Sequence, residues 1–139
     1  MSHQCKLQFI SDTKQVRTIV QRLLEFIDAY SPASEVRNDM KLVFSELLYN
    51  AVIHGNKEDR SKLVHVCLRV EADIGRIFAC ILDEGSGFDF HRAIDYAHSE
   101  AALTDEHGRG MVLVCALTEN LQYEKQGSKV LFEKGLQNG

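Results

Sequence analysis

The sequence predicts an α+β fold, a two-layer α/β sandwich in which helices cover one face of a mixed, mostly antiparallel sheet. Two observations indicate it. Apolar residues recur at helical spacing in two long segments near the N-terminus, and in later segments they alternate or run continuously, as in strands. With a third helical segment before the last two strands, the order β-α-α-β-β-loop-α-β-β is typical of a sheet with helices on one face.

Three segments have helical spacing. Thr13–Asp28 repeats its apolar residues every three or four positions, and the polar residues before it, Asp12 among them, supply N-cap candidates. A longer helix is predicted over residues 33–54, and Gly55 can end it. Gly110–Thr118 is short and apolar and predicts the third helix.

The strands are predicted from alternation and from turn residues. Leu63–Glu71 alternates strictly between apolar and polar positions, and Arg76–Leu82 is an apolar run, so the two predict a hairpin. Asn120–Lys125 and Ser128–Glu133 predict a second hairpin, and Lys6–Ile10 is a short candidate strand.

Composition and charge exclude several classes of function. The 139 residues are 45% hydrophobic, which suits a single domain of residues 1–139 with a flexible tail at about 134–139. A net charge of −4 argues against direct nucleic-acid binding, because contact with phosphate backbones needs clustered Lys and Arg. No apolar run approaches the roughly 20 residues that span a bilayer. No export leader opens the chain, so we expect a cytoplasmic protein with no membrane partner.

The four cysteines form no CxxC pair. They are expected to be reduced thiols, with Cys67, Cys80 and Cys115 as small core residues and Cys5 near the N-terminus. A zinc site built from them and some of the six histidines stays an alternative, although metal-ligand spacing is absent.

An acid, an amide and an imidazole share one ridge of the second predicted helix. At about 100° per residue, Glu46 and Asn50 lie about 40° apart and His54 lies about 40° further on. The ordinary explanation is the solvated polar edge of an amphipathic helix. A carboxylate followed by an amide one turn later can also supply a general base and a ligand for Mg²⁺, which prefers oxygen donors.

A second group of candidate residues follows the first predicted hairpin. Asp83, Gly85 and Gly87 are explained by a connecting turn in which one or both glycines have positive φ. An EF-hand is excluded because Phe88 and Ile94 stand where that loop needs Gly and Glu, and no GK[ST] follows as in a Walker loop. An acid at a strand end beside exposed backbone can instead accept the exocyclic amine of an aminopurine.

A third group of candidate residues opens the last predicted helix. Gly108 and Gly110 at a helix N-terminus leave N–H groups and the positive end of the dipole available to an anion. Arg109 between them adds a charge that can bind phosphate oxygens bidentately. A loop-to-helix hinge with a surface arginine explains the same residues.

These motifs occur in one order, and together they resemble the GHKL ATPase superfamily over about residues 6–133. The matching residues are Glu46 and Asn50 for its N box, Asp83, Gly85 and Gly87 for its first glycine box, Gly108 and Gly110 for its second, and Gly127-Ser128 before the last strand. Within the superfamily, the small size and the segment Ser-Glu-x-x-x-Asn-Ala-x-x-His-Gly are most similar to the anti-sigma-factor serine kinases of bacterial sporulation and stress switches.

The resemblance implies a role for each residue. Glu46 would be the general base towards a serine hydroxyl on a partner protein, and Asn50 would hold Mg²⁺ against the triphosphate of ATP. Asp83 would receive the adenine amine, and Gly85 and Gly87 would let the backbone approach the base and ribose. The remaining nucleotide-binding residues would be His54, Gly108, Arg109, Gly110, Met111 and Ser128.

The resemblance also implies partners. The chain is similar to protein serine/threonine kinases that sequester a sigma factor, or an equivalent regulated protein, and phosphorylate a small antagonist protein. Such relatives work as homodimers, and an interface is expected at an exposed apolar patch from Lys6–Ile10 and the first helix. Two alternatives stay open: a nucleotide-gated switch that transfers nothing, and an ATP hydrolase or detached histidine-kinase ATPase domain.

Two features depart from the family pattern. Ser128 is followed by Lys129 where the family often has two hydroxyls, and adjacent strand residues face opposite sides, so one water-bridged adenine contact is in doubt. The predicted lid, residues 88–107, carries five acidic residues and one arginine, Arg92. Either cations offset that charge over a triphosphate, or the acidic face points outward, to solvent or to a basic partner.

Overall fold

The computed structural model describes residues 2–85 and 106–137, and of residues 106–109 it describes only the backbone. Five strands form one sheet in the order β1-β2-β3-β5-β4. Their bounds are β1 Ser2–Ile10, β2 Leu63–Glu71, β3 Arg76–Asp83, β4 Glu119–Glu124 and β5 Lys129–Gly135. Every pairing in the described sheet is antiparallel, so the predicted α+β sandwich is confirmed and its mixed component is not found there.

Three helices pack on one face of this sheet. They are α1 Thr13–Asp28, α2 Ser34–Asn50 and α3 Glu106–Leu117. A π-helical turn, Ala51–Gly55, continues α2, and a 3₁₀ turn, Lys125–Gly127, joins β4 to β5. The predicted bounds of α1 are confirmed, and so is its N-cap, because the Asp12 carboxylate accepts the Lys14 N–H at 2.9 Å.

The alternation of β2 places its apolar side chains against the helices. Val64, Val66, Leu68 and Val70 are all at most 2% exposed, and the residues between them are half-buried on the other face. Across the layers, the Phe44 ring on α2 lies 5.9 Å from the Phe132 ring on β5. The core therefore lies between the helices and the inner face of the sheet.

Several predicted bounds were wrong. β1 begins at Ser2 rather than Lys6. Its first residues pair with β2 through their backbone, as far as Ser2 opposite Glu71, and this pairing does not need the alternating side chains that the sequence pattern reports. α3 begins at Glu106 rather than Gly110 and ends at Leu117, so both glycines of the third group lie inside it. The α-helical part of α2 ends at Asn50 rather than His54, because a π-helical turn takes over at Ala51.

The cysteines lie in two environments. Cys67 and Cys80 are opposite each other on β2 and β3, half-buried on the outer face of the sheet rather than in the core. Cys115 packs against the core from α3. All four thiols are free, and the described residues contain no group of three or more His, Cys, Asp and Glu that could hold a metal ion. No helix in the described ranges is long and apolar enough to cross a membrane.

Candidate functional site

A narrow cleft opens where α2, β3 and the turn before β5 end side by side. It is lined by Leu47, Asn50, Ala51, Ile81, Asp83, Tyr123, Gly127, Ser128 and Val130. The fold therefore brings together Asn50, Asp83 and Ser128, three of the residues that the sequence singles out. The cleft has a volume of about 20 Å³, room for about one water molecule, so a larger ligand must displace side chains that line it.

Asp83 is the buried acid of this cleft. It is 7% exposed, its Oδ1 accepts the Gly85 N–H at 2.9 Å, and its own N–H donates to the Ser128 carbonyl at 2.9 Å. Burial raises the pKa of its carboxyl, and the Gly85 N–H and the charge of Lys62 oppose that shift. The carboxylate is thus held in one orientation and is poorly solvated, which suits it to accept a hydrogen bond from a ligand.

Two glycines are required by close approach around Asp83. A Cβ on Gly55 would lie 2.2 Å from Asp83 Oδ2, and a Cβ on Gly85 would lie 1.8 Å from the Gly55 carbonyl oxygen. Among the described glycines, only Gly75 and Gly127 have positive φ. The positive φ expected at one or both glycines of this turn is therefore not found at Gly85. Gly87 lies outside the described residues. The packing role of Gly55 was not predicted, although Gly55 is the last residue of the His-Gly pair that ends the helical motif.

Glu46 lies one turn before Asn50 and contacts α3. A Cβ on Gly110 would lie 2.0 Å from the Glu46 carboxyl carbon, so only glycine lets α3 rest directly on this carboxylate. Because α3 begins at Glu106, helix geometry leaves the Gly108 N–H without an intrahelical partner but pairs that of Gly110. Only Gly108 therefore keeps the predicted free N–H, and the Arg109 side chain lies outside the described residues.

His54 does not continue the ridge of Glu46 and Asn50. The Asn56 N–H donates to the Ala51 carbonyl at 2.8 Å. This bond spans five residues instead of the four of an α-helix, so the turn contains one extra residue. This turn displaces His54 from the line that a regular α-helix would keep. His54 is exposed and does not line the cleft.

Ser128 and Lys129 face opposite sides, as predicted. Ser128 is 9% exposed, lines the cleft and donates from Oγ to the Lys125 carbonyl at 2.9 Å. Lys129 lines a groove on the outer face of the sheet, and its Nζ lies 3.6 Å from Glu124 Oε2.

Tyr123 and Met111 form the side of the cleft nearest α3. The Tyr123 hydroxyl donates to Met111 Sδ at 3.8 Å, and Met111 is 7% exposed. Burial raises the pKa of Tyr123, and nearby Cys115 and Glu46 raise it further. Tyr123 was not among the residues predicted from the sequence; on β4 it pairs with Val130 of β5.

The donor set suits a metal ion that is held mainly by a ligand. Asn50, which carries one amide oxygen, lines the cleft, and no cluster of three metal-binding side chains accompanies it in the described part of the chain. Mg²⁺ is usually bound by one or two protein oxygens together with water and phosphate oxygens. The residues present therefore fit a phosphate-bound Mg²⁺.

The sequence matches a known family and several known proteins. Residues 9–134 match the family model described as a histidine kinase-like ATPase domain. The chain is 22% identical over 138 residues to the anti-sigma F factor of Clostridium acetobutylicum, covering 96% of this chain and 94% of that protein. It is 25% identical over 145 residues to that of Priestia megaterium, covering 99% and 96%, and 24% identical over 134 residues to that of Clostridium beijerinckii, covering 92% and 91%. The family resemblance inferred from the motifs is confirmed.

Proposed function

The chain belongs to the histidine kinase-like ATPase domain family, and from this premise we propose that it is an anti-sigma-factor-like serine kinase. It binds ATP with Mg²⁺ and phosphorylates a serine of a small antagonist protein. The single observation that supports this most is the cleft shared by Asn50, Asp83 and Ser128, with Glu46 one turn away on the same helix. A nucleotide base, its metal and an acceptor hydroxyl would thus meet residues of one site.

The adenine end of the site is formed by Asp83 and the two close glycines. The buried carboxylate accepts the exocyclic amine, a donor that guanine lacks at the same position. Because Gly55 and Gly85 carry no side chains, the backbone at the strand end packs directly on the end of α2 and holds the acid in place. Ser128 borders the same space with its hydroxyl bonded to the Lys125 carbonyl.

The phosphate end is formed by Asn50 and the start of α3. Asn50 would hold Mg²⁺ through its amide oxygen, and the unpaired N–H of Gly108 and the charge of Arg109 would bind phosphate oxygens. When bound, ATP with Mg²⁺ supplies the phosphoryl group and neutralises its charge. His54, Gly87, Gly110 and Met111 stay predicted contributors to nucleotide binding.

Glu46 is the proposed base. The serine oxygen gains the phosphoryl group, ADP leaves, and the hydroxyl proton goes to the Glu46 carboxylate. In a loose transition state the proton is transferred late, so an ordinary carboxylate is basic enough provided that it reaches the hydroxyl.

A second candidate is a nucleotide-gated switch that binds a partner and transfers nothing. One contact favours it: α3 rests on the Glu46 carboxylate through Gly110, which limits the approach of a substrate hydroxyl from that side. The two candidates share the nucleotide site and differ in whether Glu46 is used.

The proposed partners are a sigma factor or equivalent protein, the phosphorylated antagonist and a second copy of the chain. The large hydrophobic side chains exposed in the described residues are Leu42, Tyr49, Ile53, Ile74 and Leu113. None lies in Lys6–Ile10 or α1, where the large apolar side chains Leu7, Ile10 and Phe26 are half-buried, so the interface predicted there stays a prediction. The outer face of the sheet is the surface that we propose for the second copy.

The test is transfer of label from γ-labelled ATP to an antagonist-type protein encoded beside the gene. Glu46→Gln should abolish transfer and retain ATP binding. The control Glu25→Gln changes an exposed α1 side chain that accepts a hydrogen bond from Gln21 at 3.3 Å, and it should leave both unchanged. Binding without transfer by the wild-type chain supports the switch, label that is lost in acid indicates phosphohistidine, and release of free phosphate alone indicates a hydrolase. A wild-type chain that does not bind ATP contradicts every one of these functions.

A further inference from the structure

Asn56, which follows the π-helical turn, is one of the few fully buried polar residues of the described chain. It is 1% exposed, as is Ser11, with which it forms a hydrogen bond. Burial of an amide is costly unless its donors and acceptor are all paired. Where those bonds go therefore indicates what the residue does.

The Asn56 side chain joins three segments that are far apart in sequence. Its Nδ2 donates to Ser11 Oγ at 2.6 Å and to the Leu63 carbonyl at 3.0 Å, and its Oδ1 accepts the Glu84 N–H at 2.8 Å. Both amide protons and the carbonyl oxygen are thus used. Ser11 continues the network by donating from Oγ to the Lys62 carbonyl at 2.8 Å.

The bond to Glu84 falls in the middle of the proposed adenine site. Glu84 lies between Asp83, whose carboxylate would accept the base, and Gly85, whose N–H donates to that carboxylate. On the strand side Asp83 is fixed by its N–H bond to the Ser128 carbonyl. On the helix side, Glu84 is fixed to the end of α2 by the bond to Asn56.

We propose that Asn56 is a positioning residue that sets the direction of the Asp83 carboxylate and thereby the preference for adenine over guanine. This inference rests on the proposed function. Without the bond, Glu84 is held only through its side chain, whose Oε1 accepts the Leu63 N–H at 2.9 Å and whose Oε2 lies 3.0 Å from His65 Nε2. The backbone of the Asp83-Glu84-Gly85 turn can then shift relative to Gly55, against which it now packs. The displaced carboxylate loses its alignment with an exocyclic amine, and it no longer repels the oxo group that guanine presents there.

The ratio of GTP to ATP dissociation constants separates positioning from mere stability. A variant that only unfolds part of the protein weakens both nucleotides by the same factor and leaves the ratio unchanged. Asn56→Ala should lower the ratio about tenfold, the loss expected for one well-aligned charged hydrogen bond. Asp83→Asn serves as the reference for complete loss of the hydrogen bond between the adenine amine and the Asp83 carboxylate.

Ser11→Ala is the matched control. It removes two bonds of the same network, one from Asn56 Nδ2 and one to the Lys62 carbonyl, and so also costs stability, but it leaves the Asn56 bond to Glu84 in place. Its ratio should equal that of the wild-type chain. A ratio that is unchanged in Asn56→Ala but lowered in Asp83→Asn overturns the inference and leaves the proposed function standing. A wild-type chain with no preference for ATP overturns both.

A second measurement uses the wild-type chain, so it does not require any variant to fold. Hydrogen exchange of the Glu84 amide should be as slow as that of the paired Ile81 amide in β3, because its N–H is bonded to a buried side chain. Exchange at the rate of the Ala72 amide in the exposed turn after β2 would overturn the inference.

Discussion

Asp83 shows at the scale of one residue how the proposed binding site conflicts with stability. Burial raises the pKa of its carboxyl, so the folded state holds this proton more tightly than the unfolded chain does. The folded state is therefore favoured as pH falls towards the raised pKa, and at neutral pH the desolvated charge costs stability. The exocyclic amine of a bound adenine would donate a hydrogen bond to the Asp83 carboxylate and so offset part of that cost.

The variant Asp83→Asn tests this conflict. Its Oδ1 still accepts the Gly85 N–H, while the buried charge is gone, so thermal unfolding at pH 7 should occur at a higher temperature than in the wild-type chain. ATP affinity should fall about tenfold to about a hundredfold, because one charge-assisted hydrogen bond is lost. Thermal melts and ATP titration measure the two effects. Lower stability, or unchanged ATP affinity, would contradict the role given to Asp83.

At the scale of elements, two glycines permit contacts of different kinds. Gly85 lies against the Gly55 carbonyl, which is backbone and cannot yield, whereas Gly110 lies against the end of the Glu46 side chain, which can rotate away. The first contact joins β3 to the end of α2, and the second joins α3 to α2. The same substitution should therefore have different effects at the two positions.

Gly85→Ala should destabilise the protein by about 1–3 kcal/mol, the usual cost of overpacking. Gly110→Ala should cost little, since alanine favours the helix by about 1 kcal/mol, which offsets the movement of Glu46. Because Glu46 is displaced, label transfer by Gly110→Ala should nevertheless fall at least about tenfold, the effect of losing a well-placed general base. Urea unfolding and transfer assays give the two readouts. Equal stability of both variants would contradict the packing described here.

The elements also show what the sequence could predict. The bounds of α1 and β2 were predicted correctly because their apolar spacing reports which face is buried. The π-helical turn was missed because the Asn56 side chain that follows it is bonded to Glu84, 28 residues away, and apolar spacing does not report a contact between distant segments. Asp83 was predicted as a site residue because of its position at the end of an apolar strand. Its contact with Gly55 was not predicted, because that contact also joins distant segments.

At the scale of the whole molecule, the outer face of the sheet is the surface that best fits a second copy of the chain. Its centre is apolar and half-buried, with Cys67, Phe78, Cys80, Leu82 and Leu131, and it contains two adjoining grooves of about 250 and 390 Å³. Lys6 lies on β1 at one edge and Glu124 on β4 at the other. A two-fold axis parallel to the strands exchanges the edges, and by the strand register it brings Lys6 of one copy opposite Gln122 of the other, and Gln8 opposite Glu124.

A charge placed at the centre of this face tests the dimer. Leu131→Glu should convert the protein to a monomer in sedimentation experiments, because the dimer would bury two carboxylates without partners among apolar side chains. Ile74→Glu, at a turn where the side chain is already 63% exposed, is the control and should leave the dimer intact. A dimer that survives Leu131→Glu would place the interface elsewhere.

The central claim is that the ends of α2 and β3 form one nucleotide site, and NMR titration of the wild-type chain with ATP and Mg²⁺ tests it most directly. The account predicts that the amides of Asn50, Asp83, Gly85 and Ser128 shift together and saturate with one affinity, while those of Cys67 and Cys80 on the outer face do not move. Shifts confined to the outer face, or none at all, would contradict it.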